Sequence, residues 1–176
     1  KVSNSDGIVS MVENNTIDLG VVEAPVTNKN LVVETCKRDR LVAIVPPNHP
    51  LASLKKLDFQ RLLAYPFICR EEGSGTREVI NDYLCHQPEC SLSVKVAMEL
   101  GSPEAVKGAV EAGMGVSVVS RATIQKELRL GTLVAVDLDP PLDRPFSFVH
   151  QKQKFRLRVM EELLEFAMTY CRDHND

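Results

Sequence analysis

The sequence predicts an α/β protein with mostly parallel sheets. Two observations carry that expectation. Short apolar runs alternate with segments whose apolar residues recur at helical spacing, along the whole chain. Several of those segments also open on the hydroxyl, amide and proline residues that start helices. The 176 residues are enough for one domain or two small lobes with a sizeable core.

The elements follow in order. Lys1-Val2-Ser3 reads as the tail of a strand. Asn4 or Ser5 then caps a helix with Ile8, Val9 and Val12 on one face, ended by Asn14-Asn15. Residues 17–22 read as a buried strand, with Glu23-Ala24-Pro25 as its exit. Two further strands are expected at Leu31 to Cys36 and Leu41 to Val45, and the prolines at 46, 47 and 50 stop the second. A short helix over 54–64 turns Leu57 and Leu62 inward. A strand over 66–70, a helix over 76–86 and a strand over 94–98 come next. Ser102-Pro103-Glu104 is a helix start, with a cap, a proline at the first helical position and an acid in the first turn. Gly113-Met114-Gly115 leads into a strand at 116–119. A helix over 121–129, strands at 133–138 and 146–150, and a long helix over 156–172 complete the chain. That last helix carries an apolar stripe of Leu157, Met160, Leu164, Ala167, Met168 and Cys171. Proline-marked breaks at 46–50 and 140–145 look like two crossings between lobes. They place residues 1–46 and 147–176 in one lobe and 47–146 in the other.

Residues 66–77 hold the chemistry. A strand runs through Gly73-Ser74-Gly75-Thr76-Arg77 into a helix start. Free N–H groups and roughly half a positive charge sit at such an end. Two hydroxyls and a guanidinium lie beside them, so the stretch suits a small anion. The plainer reading is a helix cap with a solvated arginine.

Composition narrows the classes. Apolar residues make up 44% and charged residues 26%, as in ordinary soluble globular chains. A net charge of −3 argues against this chain gripping nucleic acid alone. No apolar run approaches membrane-span length. The first residues show no signal-peptide pattern, as a trimmed chain would also lack one. Five cysteines at irregular spacing read as reduced thiols of a cytoplasmic protein. Cys85-His86-x3-Cys90 lacks the further ligands that a zinc site needs, so no metal is expected. No nucleophile–base pair stands out, and the four histidines read as surface or structural groups.

The stretches Ile17-Asp18-Leu19-Gly20-Val21-Val22-Glu23 and Leu41 through Leu51 carry a resemblance. So do Pro66-Phe67-Ile68, Gly73 through Arg77, Glu99-Leu100-Gly101-Ser102-Pro103 through Lys107, and Ala112 through Ser117. Together they resemble the effector-binding domain of LysR-type bacterial transcriptional regulators, in order, over essentially the whole chain. The Gly73–Arg77 and Glu99–Ser102 blocks are most similar to the branch named for regulators of cysteine biosynthesis and carbon-dioxide fixation. The resemblance implies a two-lobed fold like the type 2 periplasmic binding proteins. It implies a small effector in the interlobe cleft, no cofactor and no catalysis. Its effector contacts map onto Ser5, Glu23, Ser74, Gly75, Thr76, Arg77 and Ser102. Glu23 would repel an anion unless protonated or paired with Arg77 or Arg70. Family members are homodimers or homotetramers that reach DNA through an N-terminal winged helix-turn-helix. That domain, and the first strand and helix of the effector domain, are not in this sequence. The alternative weighed beside it is a solute-binding protein of an uptake system with the same fold.

Overall fold

The computed structural model describes residues 1–85, 96–152 and 158–173. The elements are α1 (Ser5–Glu13), β1 (Leu19–Val22), β2 (Leu31–Val45), β3 (Lys56–Leu57), α2 (Phe59–Leu63), β4 (Phe67–Arg70), α3 (Gly75–Cys85), β5 (Val96–Leu100), α4 (Pro103–Glu111), β6 (Ser117–Ser120), α5 (Gln125–Leu130), β7 (Val134–Gln151) and α6 (Arg158–Asp173). Single 3-10 turns sit at Pro50–Ser53 and Arg121–Ile124. The chain divides into two compact units. The first holds Lys1–Arg38, Gly73–Gly75 and Arg144–Asp176, and the second holds Asp39–Glu72 and Thr76–Asp143.

In the first unit, Asn4 caps α1 by accepting from the Gly7 N–H at 3.0 Å. Ile8 and Val12 turn inward and pack with Val22, Leu31 and Val149. β1 pairs antiparallel with the end of β7, Leu19 opposite His150 and Val22 opposite Ser147. Gly20 is where α1 comes closest, since a Cβ there would lie 2.5 Å from the Ile8 side chain. His150 is buried, with Nε2 3.0 Å from the Glu34 carboxylate and Nδ1 3.0 Å from the Gln151 carbonyl. On α6, Leu164 is buried and Met160, Ala167, Met168 and Cys171 are half-buried. The expected stripe therefore holds, apart from Leu157, which lies outside the described residues.

In the second unit, the end of β2 pairs antiparallel with β6, Leu41 opposite Ser120. β4 and β5 run parallel, and β3 lies parallel on β7. Val42, Ile44, Ile68, Val106, Val110 and Ile124 form one core cluster. Leu41, Phe59, Leu62, Phe67 and Val116 belong to another. Pairing is thus mixed: β1 on β7 and β2 on β6 are antiparallel, and β3 on β7 and β4 on β5 are parallel.

Three local expectations change. The runs at 31–36 and 41–45 are one 15-residue strand, because the polar residues between them alternate well enough to stay extended. The strands at 133–138 and 146–150 are one 18-residue strand. It passes through a cis Asp139–Pro140 bond, and Asp139, Pro140 and Pro141 are exposed there. An exposed extended segment tolerates proline because no buried ladder bond is lost. Residues 54–64 are not one helix. Pro50 opens a 3-10 turn, β3 follows, and Asp58 then caps α2 by accepting from the Gln60 N–H at 2.8 Å. Leu57 and Leu62 are nonetheless both buried. The strand expected from residue 94 is described only from Val96, its first two residues lying outside the described range.

Two glycines of the second unit behave oppositely. A Cβ on Gly115 would meet the Pro66 carbonyl at 2.4 Å, whereas one on Gly108, inside α4, meets nothing within 4 Å. Gly115→Ala is expected to cost roughly 1–3 kcal/mol through overpacking. Gly108→Ala should add about 0.5–1 kcal/mol by improving helix propensity. Urea unfolding midpoints that move in opposite directions for the two variants would bear this out.

The second unit also contains a buried ion pair. Lys107 Nζ lies 2.9 Å from Glu127 Oε1, with the two side chains 11% and 13% exposed, and it donates to the Thr123 carbonyl at 3.0 Å. Glu127 Oε2 is buried without a partner. The Lys107 hydrogen bond holds the Glu127 carboxyl below its ordinary value, against the opposing effect of burial. The contribution to stability is therefore complete above the ordinary glutamate range and is lost as pH falls through the lower, folded-state value. Lys107→Met should destabilise by roughly 3–5 kcal/mol, because it strands a buried charge. Unfolding followed from pH 7 to pH 3 should show that deficit shrinking as Glu127 protonates.

Candidate functional site

Three segments of the first unit meet at Gly75: the start of α1, the exit of β1 and the loop Gly73–Gly75. The Asp6 N–H donates to the Gly73 carbonyl at 3.2 Å. Gly73 has φ +80°, a conformation that favours glycine. A Cβ on Gly75 would lie 2.4 Å from the Glu23 carbonyl, 2.8 Å from Ser5 Oγ and 2.9 Å from Ala24 Cβ. Glycine at 75 thus lets the end of β1 and the start of α1 close directly onto the backbone at Gly75. Ser5, Glu23 and Gly75, expected from sequence to belong together, do lie together, and Ser74 precedes Gly75 in the chain.

Two hydroxyls here are spare. Asn4 performs the capping of α1, so Ser5 is not needed as a cap. Ser74 is only 3% exposed. Neither hydroxyl has a hydrogen-bond partner among the described residues. The first N–H groups of α3 have no carbonyl four residues earlier within the helix, and the helix dipole is positive at that end.

Glu23 is paired, but with neither arginine considered from sequence. Its Oε2 lies 2.7 Å from Arg144 Nη2, with the Arg144 side chain 3% exposed and that of Glu23 44%. Arg144 was not anticipated. The signal was present in strand phase, because Arg144 falls two residues after buried Leu142 and four before buried Phe148. An arginine in step with inward-facing residues implies a buried acid partner.

The remaining expected residues lie in the second unit. Thr76 is 7% exposed. Arg77 donates to Glu99 Oε2 at 2.5 Å and to the Arg70 carbonyl at 3.2 Å. The Glu99 contact raises the Arg77 guanidinium further above its ordinary value. Arg70 is itself bound to Glu71 at 2.7 and 2.9 Å. Both guanidiniums near the loop therefore have acid partners. Ser102 caps α4, accepting from the Ala105 N–H at 3.1 Å. Among the described residues, no group of three or more His, Cys, Asp or Glu side chains is placed to hold a metal ion. The Cys85-His86-x3-Cys90 run lies beyond the described residues after Cys85.

The first unit also carries a polar depression of about 210 Å³ lined by Glu13, Lys29, Asn30, Gln151 and Lys152. No helix of the described residues is long and apolar enough to cross a membrane.

The model of the LysR substrate binding domain family matches residues 1–172, and the chain belongs to that family. It is 38% identical to the HTH-type transcriptional regulator YeiE of Escherichia coli over 170 residues, covering 94% of this chain and 56% of that protein. It is 36% identical to the RuBisCO operon transcriptional regulator of Allochromatium vinosum, covering 97% of this chain and 58% of that protein. The chain thus spans little more than half the length of these curated relatives. Among solved structures it resembles the regulatory domain of Synechocystis CcmR in complex with 2-PG. That match has 30% identity and a TM-score of 0.89, and covers all of this chain and 84% of that one. The effector-binding domain of QuiR, in complex with shikimate, shares the fold at 22% identity and a TM-score of 0.86, over 99% of this chain and 81% of that one.

The second-unit residues can be separated by stability. Ser102→Ala should cost about 1 kcal/mol through loss of the α4 cap. Arg77→Met should cost no more than about 1 kcal/mol, since its pair with Glu99 is partly exposed. Urea midpoints of the two variants check this ordering.

Proposed function

We propose that the chain is the ligand-sensing domain of a LysR-type transcriptional regulator. In this reading it takes a small anionic effector at the start of α3, and occupancy there alters DNA binding and transcription by the whole protein. The observation that carries the reading is the pair of hydroxyls, Ser5 and the buried Ser74, at Gly75, where α3 begins and the helix dipole is positive. Backbone N–H groups and hydroxyls hold the anion, because Arg77 and Arg70 already have acid partners. Ser102 is a contact only for ligands that reach the start of α4. Family membership and the 2-PG in the CcmR domain support the effector class. The relatives are regulators rather than enzymes, which fits binding without turnover. DNA contact through an N-terminal helix-turn-helix, and assembly as a homodimer or homotetramer, belong to the same proposal.

Calorimetric titration of 2-phosphoglycolate into wild type and Ser5→Ala/Ser74→Ala tests it. A hydrogen bond to a charged group contributes about 1.5–3 kcal/mol, so the double variant should bind at least tenfold more weakly, by the ~1.4 kcal/mol-per-decade relation. Unchanged affinity would reduce the loop to a structural turn.

A further inference from the structure

We infer that Cys36 and Cys171 are a redox-active pair, joined into a reversible intrachain disulfide by a two-electron oxidant such as hydrogen peroxide. The bond ties the last turn of α6 to strand β2. This inference is independent of the anion site and stands whether or not that site is occupied.

The two cysteines are far apart in sequence and both lie in the first unit. Cys36 sits on β2. Cys171 sits in the last turn of α6, on the face that carries buried Leu164 and half-buried Ala167 and Met168. The spacing of three and four along that face turns Cys171 inward. There it meets Cys36, and the two thiols share a hydrogen bond. Cys36 Sγ also donates to the Phe146 carbonyl at 3.2 Å, which holds it against β7. Both thiols are reduced, and both are half-buried rather than enclosed, so a small oxidant has access to them. Cys69 is buried and Cys85 exposed, and both belong to the second unit. A pair kept only for packing would act as two small apolar side chains. Two thiols in hydrogen-bond contact can do more, because each is the nearest trap for an oxidised form of the other.

The surroundings divide the two roles. Burial, and then the hydrogen bond and charge of Cys171, push the Cys36 thiol up to about 11. Cys36 therefore keeps its proton, and Cys171 is the sulfur that attacks as thiolate. The Cys171 sulfur opens the O–O bond of peroxide and becomes a sulfenic acid, and the departing hydroxide takes a proton and leaves as water. The Cys36 sulfur then attacks the sulfenic sulfur. The sulfenic oxygen leaves with the Cys36 proton as a second water, and the S–S bond is formed. Two thiols are oxidised and one peroxide is reduced to two waters. In a reducing compartment such a bond is transient, as in redox sensing, and thiols reverse it. While it lasts it closes a long loop and restricts the unfolded chain, so the oxidised form is harder to unfold.

The test is a thiol map. The reduced chain is treated with a small excess of hydrogen peroxide, denatured, alkylated, digested and read by mass spectrometry. The peptides holding Cys36 and Cys171 should appear joined, lighter than their sum by two hydrogens, while Cys69 remains open to alkylation. Dithiothreitol should restore both thiols. In Cys36→Ser the sulfenic acid should persist at Cys171 and be captured by dimedone. In Cys171→Ser, Cys36 should yield no dimedone adduct. The urea midpoint of the wild-type chain should rise on oxidation and return on reduction, and Cys85→Ser/Cys90→Ser should leave that rise unchanged. If either serine variant fails to fold, the wild-type map decides by itself. Both thiols remaining open to alkylation after peroxide would overturn the inference. So would Cys171 joined to any cysteine other than Cys36, or oxidation of the two to sulfinic acids without a cross-link.

Discussion

The contact on which the rest depends is the closure of the β1 exit onto Gly75. The Glu23 carbonyl occupies the space that any side chain at 75 would need. That closeness brings the α1 start and the β1 end to Gly75, with the Ser5 hydroxyl beside it. In many ligand-binding loops glycine is read as room for the ligand. Here the room is taken by the Glu23 carbonyl, Ser5 and Ala24.

Among the described residues, the buried cations Lys107 and Arg144 each have an acid partner. Lys107 and Glu127 lock α4 to α5, with Lys107 also held by the Thr123 carbonyl. Arg144 holds Glu23, and His150 bridges Glu34 and the Gln151 carbonyl. Enclosing a charge is costly, so each pair fixes its elements firmly once formed. The Lys107 pair has an enclosed acid, whereas the Arg144 pair leaves its acid open.

Much of this was legible in the sequence. Helical spacing located α1, α3, α4 and α6, and Ser102-Pro103-Glu104 marked the start of α4 directly. The family blocks brought Ser5, Glu23 and Gly75 together in advance. What was not legible depended on tertiary partners. Proline at 140 and 141 argued for a break, but exposure allowed β7 to run through it. The runs at 31–36 and 41–45 read as two strands, but the polar residues between them stay extended and β2 is one strand. The partner of Glu23 lay far away in sequence, at Arg144. Arg77 could be read as a ligand for an anion because Glu99 was not visible as its neighbour.

The central claim is that the start of α3 is where an anion is held. Amide chemical shifts followed during titration with 2-phosphoglycolate test it most directly. The account predicts that the amides of Gly75 and Thr76 move first and furthest, with Ser5 following at the same apparent affinity. Shifts confined to Lys29, Asn30 and Lys152, around the polar depression of the first unit, would contradict it.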